Sequence, residues 1–263
     1  MVAWSVISES VRGASHLRNG FPNQEAVKID QAVINNFPII VAVADGHGSA
    51  KCTHSDLGSQ FAVESAIEMV KQIYASPDLS LPQLRNLAEN VPKAILRSWQ
   101  EKVSAYIEGD VQLQVVSANP YLPFGTTLLV TCILENAILF WQIGDGDIAV
   151  IKVDGTTAMP IPVDERLLGN ETTSLCKEKA LDDFQSVFLP IIESPPQAIF
   201  LASDGYKNSF THPDGFNQAL RDIYGFIKTE GADWVQNNLA DWLNEASRDG
   251  SGDDISLAII YHE

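Results

Sequence analysis

Residues 39–52 read IIVAVADGHGSAKC: six apolar residues, Ile39 to Ala44, run without a polar side chain into Asp45-Gly46-His47-Gly48. An apolar run of that length, bounded by glycine, reads as a fully buried strand over residues 37–44. A buried strand that ends in a carboxylate and an imidazole held between glycines sets the two questions for this chain: what stacks around the strand, and what its tip is for.

Working outward, residues 55–76 carry Leu57, Phe61, Met69, Val70 and Ile73 at helical spacing, which predicts a helix with one apolar face. Ser80 and Gln83 form a capping-box pattern, and Leu84 to Tyr106 continue as the apolar face of a second helix, which Pro92 should kink or split. Three strands are expected at 127–133, 137–143 and 147–153. Their short links, Glu135-Asn136 and Gly144-Asp145-Gly146, predict an antiparallel meander, because parallel neighbours need a long crossover. Residues 160–197 hold five prolines with weak periodicity and read as an irregular, flap-like insertion over one end of the sheet. A strand at 198–203, two helical patterns within 214–247 and a last strand at 255–261 complete the chain. Strands, helix pair, strands, helix pair, strand is the order of an α+β fold: a central antiparallel β-sandwich flanked by helix pairs, with residues 1–263 as a single domain. Trp99, Trp234 and Trp242, at helical spacing, are read as core.

Lysine and arginine number 17 against 34 aspartates and glutamates, a formal charge of −17, which disfavours nucleic acid and acidic membranes as partners. No apolar stretch approaches a membrane span and no basic-then-apolar leader opens the chain, so the expectation is a cytoplasmic protein, with a monomer as the default. Cys52, Cys132 and Cys176 are odd in number and far apart, which fits buried thiols rather than a disulfide framework.

Four strand ends share a feature. Asp45-Gly46, Gly144-Asp145-Gly146, Asp204-Gly205 and Gly252-Asp253-Asp254 each set a carboxylate beside glycine at the margin of an apolar run. Asp-Gly is a common turn pair, and any one instance is explained that way. Four of them in so acidic a chain point instead to carboxylates converging at one edge of the sandwich, an arrangement that cations must neutralise. Aspartate, main-chain carbonyl and water are hard ligands suited to magnesium or manganese, and the calcium-loop pattern is absent from all four places. A site for two cations fits best.

The order of these motifs resembles the metal-dependent protein serine/threonine phosphatases, protein phosphatase type 2C. The matching segments are RNGFPNQEA, VAVADGHGS, FGTTLLVTCI, FWQIGDGDIAVI, FLASDGYKNSF and GSGDDISLAII, spread over nearly the whole chain. LLGNETTSL, within residues 160–197, resembles the flap of the bacterial branch. The resemblance implies Mn²⁺ or Mg²⁺ as cofactor, two ions with a third more weakly held in many members. It implies Asp45 as the bridging carboxylate with the Gly46 carbonyl beside it, Asp204 and Asp253 as further ligands, and Asp145 with Asp204 at the third position. His47 falls where the family has its general acid, and a phosphorylated protein is the implied substrate.

Two departures matter. The family's Asn-Glu-Asp is here Asn23-Gln24-Glu25, so Glu25 takes the acidic position with one extra methylene. The arginine that grips phosphate in many members is replaced by Gly20; Arg12 and Arg18 are the candidates for that grip, and each fits equally as a surface charge. His16, in RGASH, is a candidate to line the site. Three classes therefore stand: a phosphoprotein phosphatase hydrolysing by attack of a metal-activated water, a catalytically weak relative that binds metal or phosphoprotein, and a nucleotide phosphohydrolase, which the lack of a Gly-rich Lys-Ser/Thr loop disfavours.

Overall fold

The computed structural model describes residues 3–31, 37–75, 79–109, 118–162 and 172–262. In chain order its elements are β1 (Trp4–Val11), α1 (Ala14–Asn19), β2 (Glu25–Gln31), β3 (Ile39–Asp45), α2 (Ser55–Ile73), α3 (Leu81–Ala88), α4 (Val91–Gly109), β4 (Leu128–Ile133), β5 (Ala137–Ile143), β6 (Asp147–Ile151), β7 (Thr157–Ala158), α5 (Ala180–Asp183), β8 (Gln185–Pro190), β9 (Ala198–Ala202), α6 (Asp204–Lys207), α7 (Pro213–Thr229), α8 (Ala232–Asp249) and β10 (Ile255–His262). They form two five-stranded antiparallel sheets, ordered β1-β10-β9-β6-β7 and β2-β3-β4-β5-β8.

The apolar run of β3 is continuous because both of its faces are covered. Ile39, Val41 and Val43 pack between the sheets with Leu201 of β9 and Ile260 of β10. Ile40, Ala42 and Ala44 face α2 and α4 through Ala62, Ala66 and Trp99. The small side chains let α2 lie close, and Gly58 lies so near Phe124 that a Cβ there would stand 2.0 Å from its carbonyl oxygen. In β10 the alternation repeats: Ala258 and Ile260 face inward, while Leu257 and Ile259 meet α7 and α8 through Leu220 and Leu239. Each fully buried aliphatic side chain contributes about 1.5–3 kcal/mol, so this middle layer carries much of the fold's stability.

Pro92 splits the second helical pattern into α3 and α4 and sits in the first turn of α4, where its missing amide hydrogen costs nothing. The capping box at Ser80 forms, with the Ser80 amide donating to Gln83 Oε1 at 2.9 Å. All three cysteines are buried free thiols.

The structure corrects four expectations. Gly144-Asp145-Gly146 does not close a hairpin: β6 belongs to the other sheet, beside β9 and β7. Gly144 makes this crossing possible, with a φ of 109° and Thr127 packed where a Cβ would sit. The meander is thereby cut into a β4–β5 pair and a β6–β7 pair. Secondly, part of 160–197 is regular: β8 pairs along β5 as an edge strand, and it gives no clear periodicity because it is short and only partly buried, with Val187 against the inter-sheet core and Phe188 against the helix-covered one. Residues 163–171, which include the first five residues of LLGNETTSL, lie outside the described residues. Thirdly, β1 and β2 form strands where no continuous apolar run announced them, since each exposes part of its length. Finally, Trp99 is core, but Trp234 is half-exposed and stacks with Phe226 and Trp242 on the outside of the α7–α8 hairpin.

Candidate active site

The alternation that builds the inter-sheet core runs on past the strand ends, and there it delivers acids instead of aliphatics. Asp45 follows Val41 and Val43 on the inner face of β3. Glu25 is its register partner on β2 and precedes Val27, which packs against the inter-sheet core. From the other sheet, Ser203 and Ser256 close the same end: the Ser256 amide donates to Ser203 Oγ at 2.9 Å, and both hydroxyls stand close enough to Glu25 to act on its carboxyl. Asp204 begins α6 directly after Ser203, and Asp253 lies just ahead of β10. Convergence at one edge of the sandwich is therefore what the fold produces.

The electrostatics record the crowding. Glu25 is buried and its carboxyl is held well above the ordinary range, by desolvation first, with Asp254 and Asp204 adding to it against the two serine hydroxyls. Its Oε2 has no hydrogen-bond partner. Desolvation also raises Asp45 well above its usual value, reinforced by Glu25 and Asp204. Asp204 is pushed up to about 6, by burial and then by Asp145. The Asp45 and Asp204 carboxyls are near enough for each to act on the other, and Asp204 Oδ2 accepts from Asn208 Nδ2 at 2.9 Å. Asp253, half-exposed, is raised by partial burial. Among the described residues no three such side chains stand at the mutual spacing of a ready-made ligand cage. The donor chemistry nevertheless fits a hard cation: acids from both sheets, buried against their preference for water, with one carboxylate oxygen left unpartnered.

The walls are as specifically made. The Gly46 amide donates to the Gln24 carbonyl at 3.0 Å, and a Cβ on Gly46 would stand 2.5 Å from the Ser55 carbonyl oxygen and 2.6 Å from that of Gln24. The Asp45 carbonyl accepts from the Thr127 amide at 2.8 Å and from Thr126 Oγ1 at 2.9 Å. The His47 amide donates to the Gly125 carbonyl at 3.0 Å, and its ring lies over Gly125, where a Cβ would be 2.8 Å from His47 Cδ2 and 2.9 Å from Cys52 Sγ. Burial lowers the His47 pKa; Asp145 opposes this and Lys177 adds to it. Asp145, carried in by the crossing loop, accepts from Thr172 Oγ1 at 2.9 Å.

These side chains line one cleft of about 1180 Å³, which contains Asp45, Gly46, His47, Asp145, Asp204 and Asp253. Glu25, buried beside its register partner Asp45, is not part of the cleft's lining. His16 lines it as well, with Nδ1 2.8 Å from Asp254 Oδ2 and Nε2 3.8 Å from Asp253 Oδ1. Arg12 and Arg18 do not line it: the Arg12 guanidinium donates to the His16 carbonyl at 3.2 Å, and Arg18 is exposed on α1. Gly20 ends α1 in the left-handed conformation, with a φ of 74°, which a side chain such as arginine adopts only with strain.

Residues 12–244 match the family model described as Protein phosphatase 2C. The chain belongs to the protein phosphatase 2C family. The fold of this protein phosphatase 2C member is that of solved bacterial enzymes along its full length. A bacterial serine phosphatase aligns with a TM-score of 0.64 at 15% identity, covering 100% of this chain and 98% of that one. Stp1 of Staphylococcus aureus aligns with a TM-score of 0.63 at 15% identity, covering 100% of this chain and 96% of that one. The catalytic domain of PstP in complex with two manganese ions gives 0.62 at 15% identity, covering 100% and 99%. At such identity these likenesses speak for the fold. No curated protein sequence matches.

Two residues that shape this phosphatase-family cleft, one behind its lining and one on it, were not singled out from sequence. Asp254 is almost wholly buried and accepts from the Gly13 amide at 2.6 Å, the Gln24 amide at 2.7 Å and His16. The signal was the period of β10: counting back from inward-facing Ala258 and Ser256 puts Asp254 on the inner side. Lys177 had no such signal, because only the path of the chain after β7 brings it to the cleft wall.

Proposed function

We propose that this chain is a manganese- or magnesium-dependent protein serine/threonine phosphatase, with residues 1–263 as one catalytic domain acting on phosphoserine or phosphothreonine of a protein substrate. The observation that carries the reading is the meeting of Glu25, Asp45, Asp204 and Asp253, from four distant strand ends and both sheets, at a cleft whose wall is His47. Asp45, the Gly46 carbonyl, Glu25, Asp204 and Asp253 are the residues assigned to hold two divalent ions, with Asp145 and Asp204 at a third position. When bound there, the ions supply Lewis acidity and the positive charge that a phosphate dianion needs in an acidic cleft.

The chain's own contribution is orientation and proton handling. The Thr126 and Thr127 bonds to Asp45 fix the end of β3, and Gly46 lets the backbone pass between Ser55 and Gln24, so the carboxylate and the adjacent carbonyl are held in set directions. His47, neutral when the cleft holds no anion, gains a proton as a phosphate dianion comes beside it and gives that proton to the departing serine or threonine oxygen. A cytoplasmic monomer completes the proposal.

A second reading, a catalytically weak relative that binds metal or phosphoprotein, draws on one observation: no arginine lines the described cleft. Purified protein separates the two. The enzyme reading expects manganese-dependent release of phosphate from p-nitrophenyl phosphate and from a phosphothreonine peptide, reduced about 100-fold or more in Asp204→Asn. Phosphopeptide binding with no turnover under any metal condition would establish the second reading, and turnover of nucleotides alone would reject both.

A further inference from the structure

Lys177 and Lys179 are the lysines of the described cleft lining, which contains no arginine. The two are held differently. Lys179 precedes α5, and its carbonyl accepts from the Asp182 and Asp183 amides. Lys177 stands on a turn pinned to the end of β4: the Leu175 amide donates to the Thr126 carbonyl at 3.0 Å, Ser174 Oγ donates to the same oxygen at 3.0 Å, and Asn119 Nδ2 donates to the Cys176 carbonyl at 2.8 Å. The Lys177 amide in turn donates to the Ser174 carbonyl at 3.1 Å. Its ammonium donates to the Thr172 carbonyl at 2.5 Å, and the Thr172 hydroxyl is the donor to Asp145. Lys177 is also close enough to His47 for its charge to act on that ring.

We propose that Lys177 is the residue that binds the substrate phosphate in this chain, taking the part for which the sequence offered only Arg12 and Arg18. The inference rests on the phosphatase reading for its substrate class and adds to it which cation meets the phosphoryl group. An ammonium has three donors and one is engaged by Thr172, so two remain for phosphate oxygens. Apart from Lys179, the charged side chains it shares the cleft with are acids, and an anionic substrate therefore needs a fixed cation as well as the metal ions. Because ammonium is a point charge rather than a planar fork, the grip is less directional than that of an arginine, and arginine at the same position should restore it.

The experiment uses the full chain loaded with manganese, comparing wild type with Lys177→Met, Lys177→Arg and Lys179→Met. For p-nitrophenyl phosphate, which has no peptide, Lys177→Met should raise KM and the inhibition constant of inorganic phosphate about tenfold, with kcat changed much less. Lys177→Arg should recover most of the affinity, and Lys179→Met should stay near wild type. An unchanged KM in Lys177→Met, or a change seen only with phosphopeptides, overturns the assignment. If the wild-type chain releases no phosphate, the phosphatase reading fails by itself, and calorimetric binding of inorganic phosphate decides Lys177: weaker binding in Lys177→Met upholds it, and equal binding rejects it. Lys177 is exposed, so the variants should melt like wild type, and circular dichroism checks this.

Discussion

At residue scale, two glycines beside the same histidine should respond differently to alanine. A Cβ at Gly125 meets His47 Cδ2, Cys52 Sγ and Cys176 Sγ, all ends of side chains that can move. Gly125→Ala should therefore fold, with a melting temperature near wild type, while the displaced imidazole costs activity about 10–100-fold. A Cβ at Gly46 meets the Ser55 and Gln24 carbonyl oxygens, which are backbone and cannot step aside. Gly46→Ala should lose about 3 kcal/mol or more of stability in urea unfolding, and activity with it. If Gly125→Ala proves as unstable as Gly46→Ala, the distinction between yielding and unyielding neighbours is wrong.

At the scale of elements, Asp254 ties the beginning of the chain to its end. Its carboxylate takes the amides of Gly13, before α1, and Gln24, before β2, together with His16 on α1. Asparagine there would turn an amide NH₂ toward at least one of these donors and leave it unsatisfied in a buried site. Asp254→Asn should cost about 2–4 kcal/mol, and hydrogen exchange of the residue 13–24 amides should rise more than that of β3. Uniform exchange across both segments would argue that the N-terminal segment is held by other contacts. The same element explains His16, which a short motif suggested but whose orientation is set by Asp254 across the fold.

For the whole molecule, the acid cluster sets how stability depends on pH and cations. Asp204 has a folded-state pKa of about 6, above the value of about 3.9 for a free aspartate. A raised carboxyl binds its proton more tightly in the folded state, so its contribution is full below about pH 4 and is lost as pH rises through about 6. Glu25 and Asp45 are shifted in the same direction. In a chelator, the melting temperature of wild type should therefore fall relative to that of Asp204→Asn between about pH 4.5 and 7. Manganese should abolish that relative fall, because a cation then offsets the charges that protons offset at lower pH. A chelated protein whose melting profile is parallel to that of Asp204→Asn would show that the carboxylates are not coupled in solution.

Much of the architecture was legible in the chain itself, because the covered strands β3, β4, β5, β9 and β10 are apolar on both faces and the helices carry their stripes: local pattern reports burial directly. The six motifs likewise pointed to the acids at strand ends. What local pattern does not contain is distance across the fold. The passage of Gly144-Asp145-Gly146 from one sheet to the other, the removal of Arg12 and Arg18 from the cleft and the arrival of Lys177 all depend on contacts between residues tens to hundreds of positions apart. Only the packed sandwich decided these, since side chains from two sheets meet at one edge by virtue of how the sheets stack and not through any spacing along the chain.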